Sequence, residues 1–93
     1  MHERALIAEI TRRVEELAVA DGADRVTRVQ VRLGALSHFT PEHFREHFDD
    51  AARGTRAAGA EVVATLDPDI GAPYAGDVLL ESIEVESDTA ERD

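Results

Sequence analysis

A chain of 93 residues with 43% hydrophobic content has room for one small core and no second domain. It contains no cysteine and no lysine, which excludes disulfides, thiolate zinc sites, iron–sulfur clusters, thiol nucleophiles, Schiff-base chemistry and a P-loop lysine. Acidic residues outnumber basic ones 20 to 10, and a formal charge of −10 repels a nucleic-acid backbone. With no apolar run long enough to span a bilayer and no secretory pattern at the N-terminus, the expectation is a cytoplasmic protein with neither membrane nor nucleic acid as partner.

From Glu3 to Ala20, Leu6, Ile10, Val14 and Leu17, flanked by Ile7 and Ala18, form a stripe at helical spacing, and Gly22 stands where a left-handed cap would end the helix. Between Arg25 and Gly34 the period changes to two. Thr27, Val29, Val31 and Leu33 point one way and Arg28, Gln30 and Arg32 the other, a strand with one wet face. Thr40 followed by Pro41 reads as an N-cap with proline at the first helical position. The helix that follows runs to about Arg53 on a stripe of Phe44, Phe48, Ala51 and Ala52, closed by Gly54.

Ala60 to Leu66 alternates again, with Val62, Ala64 and Leu66 on one face, and residues 67–77 hold prolines and glycines among polar residues and read as a loop. Val78 to Glu86 is a third strand whose apolar phase shifts from Val78 and Leu80 to Ile83 and Val85, which predicts a bulge near Glu81 and Ser82. The fold class is therefore α+β, in the order α-β-α-β-β. A strand–helix–strand crossover is followed by a last strand antiparallel to its predecessor, with both helices on one face of a three-stranded mixed sheet. Residues 1–86 form the domain and 87–93 a solvated acidic tail. Exposed strand edges and the Arg28/Arg32 face leave room for a homodimer or a docked partner.

The opening Met1-His2-Glu3 puts a histidine one peptide bond from an α-amine. The amine, the backbone nitrogen of residue 2 and the imidazole Nδ1 close two fused chelate rings, a set suited to square-planar nickel or copper. The competing reading is a solvated terminus with an isolated histidine. The helix from Leu6 keeps this tripeptide near the folded body. His43 and His47, four apart on the second helix, share a face at a spacing that can clamp one metal. The heavier reading is a plain one, an exposed His43 and a half-buried His47 at the edge of the phenylalanine stripe. His38 precedes them as a further donor without an assigned place. Adjacent acids such as Glu15/Glu16 and Asp49/Asp50 read as solvated faces, and Ser37 beside His38 is no triad.

Taken in order, Met1-His2-Glu3, Arg25-Val26-Thr27-Arg28-Val29, Leu33-Gly34-Ala35-Leu36-Ser37, Pro41-Glu42, Gly54-Thr55, Gly59-Ala60 and Ser82-Ile83-Glu84-Val85-Glu86 resemble the HypA/HybF family of nickel metallochaperones. The resemblance spans residues 1–66 and 78–86. It implies a non-enzymatic carrier that delivers nickel in hydrogenase, and in some organisms urease, maturation. It also implies a Ni2+ site made of the Met1 amine, the His2 imidazole and the backbone nitrogens of His2 and Glu3, and hydrogenase or other nickel-enzyme maturation proteins as partners. Few, nitrogen-rich donors suit an ion that must be released, and protonation of amine and imidazole weakens binding in acid. Family members carry a two-pair cysteine zinc module between the second and third strands. Here that place holds only residues 67–77, so zinc by cysteine ligation is not expected and the chain resembles a truncated form. The alternative is a metal-free module of the same fold that docks a maturation partner.

Overall fold

The apolar stripe of the first segment forms a helix because its buried positions recur every turn while the outer face stays charged. A computed structural model describes residues 2–87, His2 by its backbone alone; Met1 and residues 88–93, which include most of the expected acidic tail, lie outside the described residues. The elements are α1 (His2–Ala20), β1 (Arg25–Leu33), α2 (Pro41–Ala51), β2 (Glu61–Leu66) and β3 (Val78–Glu86), in the order expected.

The buried face of α1 is Ile7, Ile10, Val14 and Ala18, with Leu6 packed at the margin and Leu17 left 39% exposed. The expected stripe shares Ile10 and Val14 with this face but leans to the wrong side of them, a choice that periodicity leaves open when apolar residues flank both sides. Thr11 is also buried, and its hydroxyl donates to the Ile7 carbonyl at 2.7 Å, so the polar atom is satisfied within its own helix. The helix ends in a Schellman arrangement. The Gly22 amide donates to Val19 O at 3.0 Å and the Ala23 amide to Ala18 O at 2.9 Å, with Gly22 at φ 69°.

Thr40 caps α2, its side chain accepting from the His43 amide at 3.1 Å, and Pro41 follows at the start of the helix. Phe44, Phe48 and Ala52 are buried as expected, whereas Ala51 is exposed. We expect Thr40→Ala to lower stability by about 1 kcal/mol by orphaning that amide. An unchanged urea midpoint would show that the hydroxyl contributes nothing.

The sheet order is β2-β1-β3, with β1 parallel to β2 across α2 and antiparallel to β3. The last strand runs antiparallel to β2, as expected, but does not pair with it and lies on the far side of β1. Lengths explain this: β1 and β3 have 9 residues each and β2 has 6, so the β1–β3 ladder pairs more backbone than a β2–β3 ladder would. The connection passes over the end of β1, tied by the amides of Asp67 to Leu33 O, Gly34 to Asp77 O and Leu36 to Ala75 O, each 2.8 Å.

Two register shifts interrupt the β1–β3 ladder. One lies where Gln30 pairs Ser82 and Val31 pairs Leu80, leaving Glu81 as the extra residue, which is the bulge predicted near Glu81 and Ser82. The other lies between the Val26–Val85 and Arg28–Glu84 pairs, so Thr27 is the extra residue of β1. This second bulge corrects the expected phase: Val26 is buried and Thr27 is not, because the bulge restarts the alternation at Arg28. Val26, Val29, Val31, Leu33 and Val62, with Leu80, Ile83 and Val85, face both helices in one core. The opposite face is wet and cross-linked. Arg28 bridges Glu61 and Glu84 at 3.2 and 3.3 Å, Arg32 meets Glu81 at 2.9 Å, and the Ser82 hydroxyl donates to Gln30 at 2.7 Å. No helix among the described residues is long and apolar enough to cross a membrane.

Candidate metal centre

Burial of Phe44 and Phe48 sets the rotation of α2, and each is preceded by a histidine. His43 and His47 therefore project together from the face beside the buried one, one turn apart, with ring centroids 4.4 Å from each other. The ring of buried Phe39 lies 5.6 Å from that of His43 and supports it from below. On α1 the anchor is Ile7, and Glu3 sits one turn before it, at the margin of the same face. The two helices bring these margins together. His43 Nε2 lies 3.1 Å from Glu3 Oε2, and one ligand atom from each of Glu3, His43 and His47 falls within 4.8 Å of the others. All three are accessible: the side chains of Glu3 and His43 are 44% and 38% exposed, and His47 is exposed.

Of the tripeptide expected to bind nickel, Met1 and the His2 side chain lie outside the described residues, and Glu3 is described in full. His2 is the first residue of α1, so the amides of His2 and Glu3 are among those that find no acceptor within the helix. His38 stays apart from the three-donor group. It stands exposed in the loop before α2 at φ 69°, lining a shallow pocket with Glu3, Leu6 and Phe39 on the other side of Glu3. Ser37 serves the local turn, its hydroxyl accepting from the Phe39 amide at 3.4 Å. The contact that sequence reasoning missed is Glu3 with His43. These residues lie 40 positions apart, and no periodicity within either helix reports which margins meet.

The electrostatics elsewhere are local. On the outer face of α1 the Arg12 side chain, by hydrogen bond and charge, holds the Glu9 carboxyl below its ordinary range, and Glu9 and Glu16 together raise Arg12. On the wet sheet face Glu81, mainly through its hydrogen bond, raises Arg32. Arg28 and Arg32, the alternative docking surface expected from the sequence, thus have their charges already matched by Glu61, Glu84, Glu81 and Asp67 of neighbouring strands and loop. That arrangement fixes register more than it advertises positive charge.

Two helices on one face of a β2-β1-β3 sheet, with the Glu3, His43 and His47 side chains brought together between them, define a small α+β domain. The family model described as hydrogenase/urease nickel incorporation, metallochaperone, hypA matches residues 1–70, and the chain belongs to that family. The hydrogenase maturation factor HypA of Methylocella silvestris is 43% identical over 70 residues, 75% of this chain and 58% of that protein. That of Chlorobium limicola is 40% identical over 62 residues, 67% of this chain and 53% of that protein. The chain thus spans little more than half the length of these relatives. In three dimensions it resembles the nickel metallochaperone HypA of Helicobacter pylori at a TM-score of 0.75 and 15% identity, covering 92% of this chain and 98% of that one. A second HypA solution structure gives 0.67 at 16% identity, covering 95% and 98%. At such identities the likeness concerns the fold alone. The family match ends in the connection after β2, where residues 67–77 hold no cysteine with which to build a thiolate zinc site.

Proposed function

We propose that this chain captures Ni2+ and hands it to a maturation partner of a nickel enzyme, a [NiFe]-hydrogenase in the first instance. The observation that carries this reading is the family match, which includes Met1-His2-Glu3. The ion is cargo, held by the Met1 amine, the His2 imidazole and the backbone nitrogens of His2 and Glu3. The start of α1 suits this chemistry. Its first amides have no helical acceptor to lose, and the positive end of the helix dipole stabilises an amide nitrogen that has given up its proton to a metal. Buried Ile7 and Ile10 anchor the first turns of α1 to the core, which supports a site close to the folded body. Few donors and open coordination positions let a partner's ligands take the ion over one bond at a time.

Titration calorimetry with Ni2+ on protein bearing an authentic N-terminus tests the site. His2→Ala is expected to weaken binding at least about 10-fold, or about 1.4 kcal/mol. An N-terminal extension, which removes the amine, should do the same. Equal affinity in wild type and His2→Ala would sink the proposed ligand set.

A further inference from the structure

We propose that Glu3, His43 and His47 form a second site, made of side chains only, for a divalent transition cation of the zinc, cobalt or nickel kind. Its donors are one carboxylate oxygen and two imidazole nitrogens, a set that suits such ions and needs no thiolate. The site does not depend on the terminal amine or on His2.

Three observations carry it. First, the ligand atoms converge from two separate helices to within 4.8 Å of one another, and Glu3 Oε2 and His43 Nε2 are already 3.1 Å apart. Two donors around a tetrahedral zinc with bonds of about 2.0 Å lie about 3.3 Å from each other, so the hydrogen-bonded Glu3–His43 pair already has close to the spacing of one such edge. Second, the remaining closure falls on side-chain torsions. His47 and Glu3 sit on the surface and can turn toward His43, while buried Phe44, Phe48 and Ile7 hold the backbone beneath them. Third, the cluster has a way in, and the net charge of the chain favours a cation. A groove beside the cluster runs past Arg4, His47 and Asp50, and the chain as a whole is strongly acidic. Three protein donors leave at least one coordination position for water or for a ligand from outside, so ions held there exchange readily.

The decisive protein is the full chain carrying an N-terminal extension, titrated with Co2+ and Zn2+ and followed by calorimetry and the visible absorption of cobalt. One ion is expected to bind per chain. His43→Gln and His47→Gln should each weaken it at least 10-fold, and the double variant should abolish it. His2→Ala with a native N-terminus should leave it unchanged, which separates this site from the terminal one. Circular dichroism melts of each variant establish that the loss is not unfolding, and exposed His47 is the position where that control is safest. Absence of binding in both the extended chain and His2→Ala, or affinity unchanged in a folded His47→Gln, would overturn the proposal.

Discussion

Truncating Phe48 to alanine is expected to remove about 3–5 kcal/mol of unfolding free energy. Phe48 is 0% exposed and stacks on Phe44 with ring centroids 6.0 Å apart and planes 21° from parallel, so its loss opens a cavity between α2 and the sheet that neither neighbour can fill. A domain of this length has roughly 5–14 kcal/mol in total, so the variant gives up a large share of its stability. Urea denaturation followed by circular dichroism gives the number. Leu17→Ala is the matched control, because a half-exposed leucine should cost well under half as much. The comparison also decides between the two readings of the α1 stripe, since a core centred on Leu6, Ile10, Val14 and Leu17 would make Leu17 as costly as Val14. A loss below about 1 kcal/mol for Phe48→Ala would mean that α2 is not seated as described.

Because His47 directly precedes Phe48, the same experiment bears on the donor cluster. Loosening α2 should spread His43 and His47 away from Glu3 even though no ligand is altered. Site and core are thus coupled through one turn of helix, and stability and metal affinity should fall together in core variants while surface histidine variants change affinity alone.

The elements and their order were legible because each carries its own period: Ile10 and Val14 on α1, Phe44 and Phe48 on α2, Val29, Val31 and Leu33 on β1. Caps were legible for the same local reason, Thr40-Pro41 before α2 and Gly22 after α1. The bulge at Glu81 showed in the sequence as a break in alternation. That at Thr27 did not, because threonine at an apolar phase position looks like a strand residue on either face. Long-range facts were the ones missed. The partner of β3 depended on the relative lengths of β1 and β2, and the approach of Glu3 to His43 depended on how two helices lie on the sheet. A histidine pair at helical spacing can suggest a ligand face, but the third donor came from another helix and could be found only once both were placed.

Replacing Gly34 with alanine is expected to cost about 1–3 kcal/mol, for a reason of space and not of backbone conformation. Gly34 is not among the glycines at positive φ, so an L side chain suits its dihedrals. A Cβ there would sit 2.2 Å from the Ala75 carbonyl oxygen, 2.6 Å from its carbon and 2.8 Å from Asp77 O. All three are backbone atoms, and they cannot simply retreat: Asp77 O accepts from the Gly34 amide and Ala75 O from the Leu36 amide, both at 2.8 Å. Relief therefore means breaking the clasp by which the 67–77 connection crosses the end of β1. Residues 34–39 lead straight into the Thr40 cap, so displacement of the clasp should travel to the start of α2 and to His43. The expected record is a lower urea midpoint, faster amide exchange at Leu36 and Asp67, whose amides donate across the clasp, and weaker cation binding in a variant whose ligands are all intact. Gly22→Ala gives the contrast, since a Cβ there meets nothing within 4 Å and the cost is that of a left-handed alanine, about 1 kcal/mol, with exchange at Leu36 unchanged. If Gly34→Ala unfolds at the wild-type midpoint, the close approach of β1's end to Ala75 does not exist in solution, and the connection crosses the sheet by another route.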